Sequence, residues 1–180
     1  TYVELDAISD SLENAVIATE DRTFYENSGV NVKRFLLAIV SMGRFGGGST
    51  ITQQLAKNAF LTQEQTVTRK AKEFFLSLEL TKKYSKQEIL TMYLNNAYFG
   101  NGVWGVEDAS QKYFGTSAAN LTVDEAATLA GMLKGPEIYN PIDNIQNATN
   151  RRNTVLSNMV DDKKLSQADA DSAAGVDMAS

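Results

Sequence analysis

Gly46-Gly47-Gly48-Ser49-Thr50-Ile51-Thr52-Gln53-Gln54-Leu55-Ala56-Lys57-Asn58 is a glycine run that opens directly into a polar helix start. Glycine lets a backbone come close to a ligand. Ser49, Thr50, Gln53, Gln54, Lys57 and Asn58 then follow at near-helical spacing, so hydroxyls, amides and an ammonium crowd one side. The first N–H groups of a helix are unpaired and the dipole is positive there, which suits an anion. Taken alone, an ordinary capped surface helix accounts for the segment equally well. It is not a nucleotide P-loop, because Gly-x-x-x-x-Gly-Lys-Ser/Thr does not occur.

Outward from this stretch the chain reads as almost entirely helical. Leu5, Ile8, Leu12, Ala15, Val16 and Thr19 recur at helical spacing, which predicts a first helix ending near Glu20. Glu26 to Asn31 reads as a turn, and Val32 to about Met42 as a second helix. A long helix is expected from Val67 to Lys83 with Ala71, Phe74, Phe75 and Leu78 inward. Ser85-Lys86-Gln87-Glu88 and Thr122-Val123-Asp124-Glu125 are capping boxes that open two more. Val106 to Phe114, stopped by Gly115, then Asn147 to Val160 and Ser166 to Ala174 complete the set. No β-rich block appears, although the breakers from Asn95 to Gly102 leave room for a short hairpin.

The 180 residues are enough for one domain with a real core. There is no Cys and no His, which excludes disulfides, thiolate metal sites and every His-dependent catalytic arrangement. A general base must then be a carboxylate, Lys or Tyr. The net charge of −5 argues against nucleic acid. The excess of Lys and Arg between Lys57 and Lys86 instead suits a small anionic group or a phospholipid surface.

Three further segments carry candidate chemistry. Glu20-Asp21-Arg22-Thr23-Phe24-Tyr25 places carboxylates at a helix C-terminus, where the dipole and nearby rings should raise the pKa of Glu20. Arg69-Lys70-Ala71-Lys72-Glu73 puts cations one turn from a carboxylate, which ordinary helical charge pairing explains as well. Val32 to Phe45 is apolar nearly all round and flanked by Lys33, Arg34 and Arg44, as a core helix or a membrane-interface helix would be. Tyr93, Tyr98, Trp104 and Tyr113 suit a sugar groove, yet aromatics at these spacings are more often core.

Taken in order, these segments resemble the peptidoglycan glycosyltransferase domain, the family 51 glycosyltransferases of class A penicillin-binding proteins and monofunctional transglycosylases. The resemblance rests on Glu20-Asp21-Arg22-Thr23-Phe24, Gly47 to Asn58, Arg69-Lys70-Ala71-Lys72-Glu73, Ile89-Leu90-Thr91-Met92-Tyr93-Leu94-Asn95 and Arg151-Arg152-Asn153-Thr154-Val155-Leu156. It implies a mainly α, lysozyme-like fold with a larger head lobe and a small membrane-facing jaw at about 30–48, all within one domain of residues 1–180. It implies polymerisation of lipid II, with Glu20 as the catalytic base and Glu73 assisting at the donor pyrophosphate. Ser49, Thr50, Gln54, Lys57 and Asn58 match donor-site contacts, while Arg69, Lys72 and Lys134 match basic positions near the pyrophosphate.

The resemblance leaves room for a divalent metal, magnesium or manganese, at Glu73 and for no organic cofactor. Its partners are lipid II, the growing glycan, a membrane surface met by 32–45 and other cell-wall synthesis proteins. The implied location is the outer face of the bacterial cytoplasmic membrane, with the anchor and any transpeptidase domain outside this sequence. Two departures stand out: Asn27-Ser28 replaces a frequent His, and Thr91 stands where Glu is common. The rival readings are a lytic transglycosylase or lysozyme, and a non-catalytic glycan-binding module.

Overall fold

The structure is a computed structural model that describes residues 1–30, 49–60 and 66–179. The expected helix from Val32, the membrane segment 32–45 and the jaw lobe lie outside these residues. The described residues are mainly α, as expected, and contain no strand beyond one isolated antiparallel bridge between Tyr98 and Trp104. The chain divides into two compact units, Thr1–Arg22 with Leu94–Ser180, and Thr23–Tyr93.

The first unit is built on three helices: α1 (Asp10–Glu20), α6 (Val123–Met132) and α7 (Ile145–Asp161), which pack against one another. The first helix starts later than its apolar spacing suggests, because Leu5–Ala7 forms a 3-10 turn. Ser9 then caps α1, its Oγ accepting from Ser11 N at 3.2 Å and donating to Leu121 O at 3.2 Å. A serine hydroxyl in this role fixes a helix start more firmly than hydrophobic periodicity does. Leu12, Ala15, Val16 and Leu129 are fully buried, each larger aliphatic side chain contributing about 1.5–3 kcal/mol. The Thr122 capping box opens α6 as expected, with Thr122 N donating to Glu125 Oε1 at 3.0 Å. The unit is completed by α5 (Val106–Phe114), ended by Gly115, and by α8 (Gln167–Ala174).

The second unit holds α2 (Ile51–Asn58) packed against α3 (Val67–Lys83). The chain passes from this unit back to the first along α4 (Lys86–Asn96), whose start is fixed by Glu88 N donating to Ser85 Oγ at 3.1 Å. Thr91 is buried in α4 and donates its hydroxyl to Gln87 O at 2.7 Å.

One expectation is corrected here. Phe75 is 64% exposed, whereas Glu73 and Ser77 are buried, so α3 turns a polar face inward and an aromatic outward. Residues two apart on a helix point about 200° apart, so burying Glu73 necessarily exposes Phe75. The buried polar face is satisfied in part within the helix, where Ser77 Oγ donates to Glu73 O at 2.7 Å.

Candidate active site

Glu20 is the last residue of α1, half-buried, with its Oε1 shut off from solvent. The helix end that carries it is held from two directions. Arg22 Nε donates to Ala18 O at 2.9 Å, a cation closing a negative helix terminus. Asn158 of α7 accepts from Arg22 Nη2 at 3.3 Å and donates to Thr19 Oγ1 at 3.4 Å. Asp21 is buried in an extended conformation, φ −164°, which ends the helix and turns the chain away from Glu20. The backbone that carries Glu20 is thus fixed in place. Lys134, two residues beyond the end of α6, belongs to the same unit and is exposed.

The other candidates belong to the second unit. Thr50 is the N-cap of α2 in a full capping box: its Oγ1 accepts from Gln53 N at 3.1 Å, and Gln53 Oε1 accepts from Thr50 N at 2.9 Å. Thr50 Oγ1 also donates to Gly29 O at 2.7 Å. Its one O–H is therefore committed to the fold, and an anion, which needs donors, finds none on this hydroxyl. Ser49 makes no side-chain hydrogen bond among the described residues and keeps its hydroxyl available. Lys57 lies in the last turn of α2, half-buried, next to exposed Asn58. Ile51 to Lys57 rises about 9 Å along the helix, with Ser49 before its start. The polar stretch thus divides between the two ends of α2.

Glu73, 3% exposed, is the most constrained of the candidates. Its Oε2 lies 3.6 Å from Lys70 Nζ, and its Oε1 is buried with no hydrogen-bond partner among the described residues. A buried carboxylate oxygen left unpaired costs stability and persists when it serves something else. Arg69 lies 4.3 Å above the Phe60 ring, while Lys72 is exposed. Among the described residues no three acidic or other ligating side chains converge. Glu73 can offer one oxygen to a cation, a donor set that magnesium accepts when phosphates and waters complete its shell.

The structure brings two further residues to these positions. Lys70 supplies the cation that reaches Glu73, which its i,i+3 spacing already encodes. Tyr93 on α4 donates to Gln54 Oε1 at 2.7 Å, and Gln54 Nε2 in turn reaches Ser49 O at 3.4 Å. Nothing in sequence spacing could pair residues on helices so far apart along the chain. A cavity of about 420 Å³ in the first unit, lined by Tyr113, Glu125, Arg152 and Met178 among others, includes neither candidate carboxylate and none of the candidate donor-site residues.

The transglycosylase family matches residues 1–160. Penicillin-binding protein 2a of Streptococcus pneumoniae is 69% identical over all 180 residues, which cover 25% of that protein. Penicillin-binding protein 1A/1B of Bacillus subtilis is 48% identical over 164 residues, 88% of this chain and 18% of that protein. The crystal structure of penicillin-binding protein 1A from Haemophilus influenzae superposes with a TM-score of 0.50 at 31% identity, covering 71% of this chain and 16% of that one. The chain thus spans a quarter or less of these relatives.

Proposed function

Because the chain belongs to the transglycosylase family, a family of peptidoglycan glycosyltransferases, we propose that it polymerises lipid II into linear glycan strands. The single observation that carries this reading is the family match over 1–160, which contains both candidate carboxylates, the polar start of α2 and the basic segment of α3. The mainly α, lysozyme-like fold agrees with it.

In this reading the donor is the growing glycan on its undecaprenyl pyrophosphate, and the acceptor is the GlcNAc 4-hydroxyl of lipid II. Glu20 takes the proton from that hydroxyl as its oxygen attacks the anomeric carbon. The pyrophosphate leaves from the opposite face, so an α-linked donor gives a β-1,4 linkage with inversion. Ser49, Gln54, Lys57, Asn58, Arg69, Lys72 and Lys134 hold the donor and its charge, a preorganised positive field for the leaving group. Thr50 contributes by fixing the start of α2. Glu73 serves the pyrophosphate, directly or through magnesium or manganese.

The reaction belongs on the outer face of the bacterial cytoplasmic membrane, with segment 32–45 meeting the lipid. No helix among the described residues is long and apolar enough to cross a membrane. The test is polymerisation of labelled lipid II in detergent, wild type beside Glu20→Gln, read as glycan ladders on a gel. Ladders from the wild type alone support the enzyme and its base. Ladders from both remove Glu20 from the mechanism, and shortening of preformed glycan would mark a lytic enzyme instead.

A further inference from the structure

We propose that Trp104, with Tyr98 and Glu137, is a saccharide-stacking platform on the first unit that takes a β-1,4-linked amino-sugar chain; the glycan as ligand rests on the function proposed above. Trp104 is 60% exposed although it is large and apolar. Its ring lies 4.6 Å from that of Tyr98 at a 40° tilt, and the two residues form the isolated antiparallel bridge. An exposed indole is ordinary on a mobile loop, but this loop is over-determined. Phe99 N donates to Val103 O at 2.9 Å, and Gly105 N donates to Ala97 O at 2.8 Å. Tyr113 Oη donates to Phe99 O at 2.6 Å and accepts from Asn101 Nδ2 at 3.0 Å.

The backbone turn is fixed by residue type as well. Asn101 takes the left-handed region, φ 52°, which Asn tolerates better than other residues with a Cβ. Gly100 and Gly105 have φ of 77° and 88°, and a Cβ on either would lie within 2.9 Å of a backbone oxygen, from Pro136 and Asn95 respectively, so only glycine fits at these positions. The turn thus holds a flat aromatic face toward solvent.

The polar partner is adjacent. Tyr98 Oη donates to Glu137 Oε1 at 2.9 Å and accepts from Gly102 N at 3.1 Å. Glu137 is exposed, and its Oε2 makes no hydrogen bond among the described residues. Exposed Ile138 follows it in the chain. A pyranose ring presents an apolar C–H face that packs on an aromatic ring, and hydroxyl and amide donors at its edge that suit a carboxylate. The Glu137 carboxylate repels a phosphate at this position.

Trp104 is the one tryptophan of the chain, so its emission reports directly on this site. Chitotetraose titrated to about 10 mM, which reads affinities down to the millimolar range, should shift that emission saturably. Glu137→Ala should weaken the effect about tenfold, the loss of a charge-assisted hydrogen bond. Binding followed by calorimetry should be kept by Trp104→Phe and lost by Trp104→Ala, with melting temperatures confirming that each variant folds. The exposed Glu137→Ala variant keeps the test intact if Trp104→Ala does not fold. An emission spectrum that chitotetraose leaves unmoved overturns the platform, as does undiminished binding by Glu137→Ala. If the same wild-type sample polymerises lipid II, that failure leaves the enzymatic reading standing. A saturable shift in a protein that makes no polymer supports the platform and removes the enzymatic reading.

Discussion

The Tyr93 hydroxyl donates a 2.7 Å hydrogen bond to Gln54 Oε1, tying α4 to α2. With Oε1 engaged, the amide is oriented, and Nε2 is aimed along the helix start toward Ser49 O. Tyr93 is itself buried, so its ring position is fixed by packing. Its presence in the fourth sequence motif thereby acquires a physical role: it orients the Gln54 amide, which the function proposed above assigns to the donor. Tyr93→Phe should cost about 1 kcal/mol, the net worth of a neutral hydrogen bond. If that bond is lost from donor binding, lipid II polymerisation should show roughly a fivefold loss of kcat/KM, carried mostly by KM. An unchanged KM would show that Gln54 is held without Tyr93.

Glu73 separates structure from function. If its carboxylate existed to pair with Lys70, neutralising it would destabilise the protein. Instead the contact is 3.6 Å long and the other oxygen is buried without a hydrogen-bond partner among the described residues. Glu73→Gln should therefore leave stability unchanged or raise it by about 1 kcal/mol, since a buried charge is removed. Polymerisation should fall about 100-fold, the scale of losing an electrostatic contributor at a leaving group. Denaturant melts beside a turnover assay check both halves. A large destabilisation would return Glu73 to an ordinary ion pair.

The same helix shows where sequence reading stops. The start of α2 was legible because Thr50 and Gln53 spell out its capping box, and α5 because Gly115 supplies the left-handed stop, φ 63°. The facing of α3 was not. Ala71, Phe74, Phe75 and Leu78 follow helical spacing, but so do Lys70, Glu73 and Ser77. Hydrophobicity ranks the first set inward, and the structure buries Glu73 and Ser77. Local periodicity cannot say which of two stripes faces the protein when both follow helical spacing. For Trp104 the sequence left a sugar groove and the core both open, because a turn rich in glycine does not announce whether its aromatic points in or out; the structure exposes Trp104 and buries Tyr93.

The pH dependence of stability should carry a signature of Glu13, on α1. Burial first, and the charge of Asp10 second, raise its pKa from 4.5 to about 7. The folded state then holds this proton more tightly than the unfolded chain. Its contribution is fully present below pH 4.5 and is lost as pH rises to about 7. Because the side chain is only half-buried, solvent screening reduces the effect to about 1 kcal/mol. Glu13→Gln should match the wild type at low pH and exceed it at pH about 8 by that amount. Parallel melts at the two pH values would expose the error if the gap were constant.

Arg152 ties the C-terminal turn to the core. It is 1% exposed, and Nη1 and Nη2 donate to Val176 O and Ala174 O at 2.9 Å each, with Nε donating to Asn153 Oδ1 at 3.1 Å. The guanidinium thus satisfies carbonyls at and beyond the end of α8, from the middle of α7. Lysine carries the charge but not the planar fork. Arg152→Lys should cost about 2–3 kcal/mol, because one ammonium cannot serve two separated carbonyls from a buried position. The loss should appear as a lower denaturant midpoint, while the fraction that remains folded polymerises lipid II at the normal rate. A folded variant with intact stability and poor turnover would instead place Arg152 in the binding of substrate.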